Sequence, residues 1–160
     1  LMRFLGRSLN GSSTLEAAVE GRLRELWESR VQAVRNGADA GELAGFGEWF
    51  GGGKFEDEWA LQQLLTALSL ASRIESEHLA LPRLAALAPT HTPTCMIILE
   101  AWVRTTPASW TLQQYEQDIR AILQAGIDSG DAAIAETVTA VISLCITAGI
   151  DLRDILPGSP

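Results

Sequence analysis

The chain has 160 residues and a mass of 17.2 kDa, with 47% hydrophobic and 20% charged residues, a balance that excludes disorder throughout. At this length a compact fold buries roughly two-thirds or more of the surface of its unfolded chain, enough for a core that needs neither disulfide nor metal. The net charge of −8 disfavours nucleic acid and anionic membranes as general partners.

Apolar residues recur at spacings of three and four from one end to the other, and no alternating strand pattern competes with them. Leu15, Val19, Leu23, Leu26, Trp27, Val31 and Val34 form a first helical stripe, opened by Ser13 with Glu16 three residues later and closed by Asn36-Gly37. Asp39 with Glu42 repeats the capping pattern before Leu43, Phe46, Trp49 and Phe50, and Gly51-Gly52-Gly53 breaks that helix after about three turns. Residues 55–74 carry Trp59, Leu61, Leu64, Leu65, Leu68 and Ala71 at helical spacing, with Asp57 and Glu58 near the positive end of the dipole. Residues 76–88 read as a helix that tolerates Pro82 near its first turn or as a kink.

Thr92-Pro93 reads as a cap followed by proline at the first helical position. The helix after it, with Cys95, Ile98, Leu99, Ala101, Trp102 and Val103, is apolar on nearly every side, so it is expected to be the most buried, with Trp102 in the core. Residues 105–109, containing Pro107, form a loop. Thr111 with Gln114 is expected to cap a helix bearing Leu112, Tyr115, Ile119, Ile122 and Leu123 that ends at Gly126. Asp131 opens another, with Ile134, Val138, Val141, Ile142 and Cys145 on one face and Gly149 at its end. Asp151-Leu152-Arg153-Asp154 starts one short turn, terminated by Pro157.

Helices taken two apart begin at intervals of roughly 34 to 43 residues, the range of tetratricopeptide and HEAT pairs. The tetratricopeptide consensus does not recur at one strict spacing. The expected fold is therefore all-α, with antiparallel helix pairs stacked as a short HEAT-like α-solenoid; the alternative is a closed helical bundle. Residues 1–156 are read as a single helical repeat domain cut from a longer chain, and residues 157–160 as a tail.

Three stretches carry a resemblance. They are Leu26-Trp27-Glu28 with Phe46-Gly47-Glu48-Trp49-Phe50, then Gly53-Lys54-Phe55-Glu56-Asp57-Glu58-Trp59, then Ala121-Ile122-Leu123 with Gly130-Asp131 and the closing Asp151-Leu152-Arg153-Asp154-Ile155-Leu156. Together the pattern resembles the HEAT-like C-terminal helical repeat region of large multidomain bacterial proteins, in which such regions follow a P-loop ATPase or sirtuin-like module of anti-phage character. The resemblance covers the chain from about residue 14 onward. It implies a structural role in a defence-type protein and transfers no catalytic residue.

Gly51-Gly52-Gly53-Lys54 fails the phosphate-loop pattern, because Glu48 and Phe55 occupy the places that need glycine and Ser or Thr, and because a helix precedes it. His91 and Cys95 are four apart, but His78 and Cys145 do not complete a zinc site with them. Glu75 and Glu77 near His78 form no H-E-x-x-H arrangement, and no serine lies in a nucleophile elbow. Catalytic, metal and cofactor residues are all expected to be none, and the chain is read as a non-enzyme. The two cysteines sit in apolar stretches and suit a reducing cytoplasm. The charge-free stretches 84–99 and 137–150 are too short to span a bilayer, and the first residues lack the pattern of a secretory signal.

Six arginines against four glutamates make residues 1–35 positive, whereas residues 36–160 hold six bases against sixteen acids. That asymmetry suits a head-to-tail contact between modules or copies. The candidate interface comprises Leu1, Met2, Phe4 and Leu5, an apolar face awaiting a neighbour, together with Trp49, Phe50, Phe55 and Trp59 around the glycine break. The expected partner is protein, either an upstream module of the same polypeptide or a second copy. The alternative function is a helical subunit of a nucleoprotein assembly that touches phosphates through its arginine-rich first helix.

Overall fold

The computed structural model describes residues 5–6, 15–106 and 109–155. Among them lie eight α-helices and two 3-10 helices, with no strand, as the three-and-four periodicity predicts. The helices are α1 (Ala17–Arg35), α2 (Phe46–Gly51), α3 (Asp57–Ala71), α4 (Glu77–Leu87), α5 (Thr92–Thr105), α6 (Ser109–Gln114), α7 (Glu116–Asp128) and α8 (Ala132–Thr147); 3-10 helices span Gly41–Gly45 and Arg153–Ile155. None is long and apolar enough to cross a membrane. The chain divides into two compact units, Leu1–Ala80 and Leu81–Pro160, with the boundary inside α4.

In the first unit, α1 ends in a Schellman motif. Gly37 takes φ +102°, its N–H donates to Val34 O, and the Ala38 N–H donates to Ala33 O. The N-terminal cap differs from expectation: Glu16 occupies that position and makes no side-chain capping bond, while Ser13 lies outside the described residues. The expected Asp39–Glu42 cap also differs: Ala40 occupies the N-cap position without a side-chain capping bond, the Asp39 carboxylate accepts from the Gly41 N–H at 3.2 Å, and the first turns are 3-10 and become α only at Phe46. The glycine break forms with Gly53 at φ +66°. Glu56 then caps α3, accepting from the N–H groups of Glu58 and Trp59 at 2.9 and 3.0 Å.

α2 and the 3-10 helix before it pack on α3. The approach of residues 74–75 to α2 is close: the Glu75 N–H donates to Ala44 O at 2.9 Å, and a Cβ on Gly47 would stand 1.9 Å from Glu75 O. α4 carries Pro82 at its sixth residue, so the His78 carbonyl lacks an intrahelical donor and the ring faces solvent.

In the second unit, α5 packs on both α7 and α8, and these two pack on each other. Gly126 marks the junction, since a Cβ there would meet Val138, Met96 and Ile134. α5 buries six residues, Trp102 included, the most of any helix described here. Ile97 on its outer face is nonetheless 49% exposed, so the helix is amphipathic rather than apolar all round. Its N-cap is His91; Thr92 is already helical, and its hydroxyl donates back to Ala88 O.

The expected cap at Thr111 is not formed. Helix starts at Ser109, Thr111 is buried within that short helix, and the chain breaks at Tyr115, whose ring meets Trp102 edge-on at 6.0 Å. Asp131 caps α8 as expected, accepting from the Ala133 N–H at 2.8 Å, and Gly149 at φ +89° closes it in a second Schellman motif. Arg120 then ties the final 3-10 helix to α7 by donating to both Asp154 carboxylate oxygens and to Asp151 O. Pro157 lies outside the described residues.

Candidate functional site

Three of the four candidate interface aromatics are core in this fold. Trp49, Phe50 and Phe55 are buried and Trp59 is half-buried. Trp49 and Phe55 stack with ring centroids 5.6 Å apart and planes within 6°, and Trp27, Phe46 and Trp59 complete the cluster. Hydrophobic burial of such large rings outweighs their usefulness as free anchors, so the hairpin packs on them and none of the three buried rings is presented to a partner. The Arg24 guanidinium lies 4.5 Å from the Trp59 ring centroid and donates to Glu20 at 2.6 Å. Leu1, Met2 and Phe4 lie outside the described residues. Leu5 is half-buried and helical, and its neighbour Gly6 sits against Glu48 and Trp49 so closely that a Cβ would stand within 2.8 Å of both.

Glu48 is a feature that residue patterns did not single out. It is only 5% exposed, and its carboxylate accepts from the hydroxyl of Ser76, a non-glycine residue held at φ +58°. The pair clasps residues 74–76 onto α2. A negative residue inside the Phe46–Phe50 run is the signal that could have revealed it, because a charge there has to be paired.

The residues weighed as metal ligands do not converge. His91 occupies the N-cap position of α5 without a side-chain capping bond, Cys95 is buried one turn later, His78 is exposed on α4 and Cys145 is buried on α8. Among the described residues no three His, Cys, Asp or Glu side chains form a group suited to a metal ion. Burial pushes the Cys95 thiol up to about 12 and the Cys145 thiol up to about 11, which makes both poor nucleophiles. Asp118 on α7 is also raised by burial, whereas Arg153 holds Asp151 well below the usual carboxylate range.

Concave surfaces of similar size occur in both units. In the second unit a trough of about 390 Å³ runs over Ala121 and Ala125. Its polar groups are engaged internally: Thr92 with Ala88 O, Gln124 with Asp128, and Ser129 with Gly126 O.

In the first unit a groove of about 360 Å³ lies between α1 and α3. Val31, buried, forms its apolar floor. Glu28, Gln32 and Arg35 rise from α1, and Gln62, Gln63 and Thr66 from α3. The Trp27 indole N–H donates to Gln63 Oε1 at 2.8 Å and so ties the two walls together. Residue patterns missed this groove, since its glutamines read as ordinary solvent-facing positions until the two helices are placed side by side.

Compared with protein-family models, with curated proteins and with solved structures, the chain matches none.

Proposed function

We propose that the chain is a non-catalytic protein-interaction or scaffold segment of a larger bacterial protein, with its helices paired in the HEAT-like manner and working in the cytoplasm. The setting is the one its sequence resembles, beside a P-loop ATPase or sirtuin-like module of anti-phage character. The observation that carries this reading is the groove between α1 and α3, in which Glu28, Arg35 and Gln62 have no side-chain partner among the described residues. Elsewhere the charges pair locally: Arg104 with Glu100, Arg120 with Glu116 and Asp154, and Arg153 with Asp151. A surface built this way recognises shape and polar groups and offers no activated nucleophile or acid–base pair.

The nucleoprotein reading draws on the arginines of the first helix, and two of the four on α1 have partners within the chain. Arg24 is held by Glu20 and Trp59, and Arg30 stands 3.8 Å from Glu42. Fluorescence anisotropy of a labelled single-stranded oligonucleotide, titrated with the chain at rising salt, separates the two readings. The interaction reading expects no appreciable binding at any salt concentration. Tight binding at low salt that falls steeply as salt rises is the signature of phosphate contact and overturns it.

A further inference from the structure

The groove between α1 and α3 presents groups that the packing of the first unit does not use. Glu28 and Arg35 lie seven residues apart on one face of α1, so they stand about 10 Å apart along the helix axis. Among the described residues neither has an ion-pair partner. Between them and across the groove stand the amides of Gln32, Gln62 and Gln63; that of Gln32 donates to Asn36 Oδ1 at 3.1 Å and keeps its oxygen as an acceptor. The bond from Trp27 occupies the Gln63 oxygen and leaves the two N–H donors of that amide for a further partner.

The Gln62 amide offers a donor and an acceptor side by side, the complement of a peptide unit, while Gln32 contributes an acceptor and Gln63 donors. A chain in the polyproline II form rises about 3.1 Å per residue with three residues per turn, so about three residues span the distance from Glu28 to Arg35 and side chains at i and i+3 share a face. We propose that this groove binds an extended peptide segment of a partner protein. A basic side chain sits at the Glu28 end and an acidic one about three residues away at the Arg35 end, and the glutamines hydrogen-bond the backbone between them. A nucleic-acid strand would meet repulsion at Glu28, and no aromatic ring lines the groove for a base or sugar to stack on. The proposal rests on the interaction reading and gives it a site and a class of ligand.

The test is a titration of the ¹⁵N-labelled 160-residue chain with three acetylated and amidated peptides: Lys-Ala-Ala-Glu, Lys-Ala-Ala-Lys and Glu-Ala-Ala-Glu. The side-chain amide signals of Gln32, Gln62 and Gln63 and the indole N–H of Trp27 are followed. The mixed-charge peptide is expected to shift these signals saturably in the millimolar range and to bind about fivefold more tightly than either like-charged peptide. Glu28→Lys should transfer the preference to the doubly acidic peptide, and Arg35→Glu to the doubly basic one. Both residues are exposed, so the fold persists, as unchanged circular dichroism verifies. The proposal is overturned if the groove amides stay unmoved, if the three peptides behave alike, or if the charge reversals leave the preference unchanged. It is equally overturned if a single-stranded oligonucleotide moves these amides in place of the peptides. Failure of the groove alone leaves the concentration-dependent association of the chain intact, whereas failure of the interaction reading removes that as well.

Discussion

Gly47→Ala should destabilise the protein, although alanine is the better helix former. A Cβ at this position would lie 1.9 Å from Glu75 O and 2.6 Å from Ile74 Cγ2. The oxygen belongs to the backbone and cannot rotate away, so residues 74–75 would have to retreat by about 1.5 Å to reach ordinary contact. That movement also pulls the Glu75 N–H from Ala44 O, now at 2.9 Å. Overpacking costs about 1–3 kcal/mol and the lost hydrogen bond about 1, against at most about 1 returned by helix propensity; the rigid neighbour places the net loss near 2–3 kcal/mol. Gly21→Ala is the control. Nothing lies within 4 Å of its added Cβ in the middle of α1, so it should stabilise the protein by about 0.5–1 kcal/mol. Urea unfolding followed by far-ultraviolet circular dichroism gives both values. If Gly47→Ala proves as stable as the parent, or if the two substitutions shift the midpoint alike, the close approach of residues 74–75 to α2 is wrong.

Trp102, 1% exposed and packed edge-on against Tyr115, should lose about 3–5 kcal/mol as Trp102→Ala; a loss below about 1 kcal/mol in urea unfolding would contradict its burial. The thiols of Cys95 and Cys145 should resist a disulfide reagent in the native protein and react fully in urea, because burial raises both. Their folded-state values are raised, so the stability they contribute is complete below the ordinary thiol pKa and declines as pH rises above it, visible as a falling urea midpoint in alkali. Glu56 shows the opposite sign: the backbone N–H groups of Trp59 and Glu58 hold its carboxylate below the usual range. Its cap contributes above the ordinary carboxylate pKa and is lost as pH falls through the lowered folded value, so the gap in urea midpoint between the parent and Glu56→Ala should narrow toward acid. A gap that stays constant with pH would contradict it.

The parts of the fold written in local sequence were legible. Gly37 and Gly149 close their helices because only a residue free of Cβ strain enters the left-handed turn cheaply, and Asp131 caps because its carboxylate reaches the Ala133 N–H. Features set by tertiary packing were not legible. The Thr111–Gln114 spacing suits a capping box, but the chain instead breaks at Tyr115, where the ring packs against Trp102. The aromatics beside the glycine break were equally suited to an interface or a core, and only the position of α1, with Trp27 against Phe46 at 4.4 Å, decides for the core. The groove is invisible in sequence because Gln32 and Gln63 are 31 positions apart and each lies on a polar face of its own helix.

Sedimentation velocity over a wide concentration range, on the 160-residue chain and on a version lacking residues 1–10, tests the interaction reading most directly. The account predicts that the intact chain associates as concentration rises, that the association loosens with salt because a positive N-terminal segment meets an acidic body, and that the shortened chain stays helical but monomeric. An intact chain that is monomeric throughout, with a shortened version that unfolds, would contradict it: residues 1–10 would then belong to the chain's own core through the contact of Gly6 with Glu48 and Trp49.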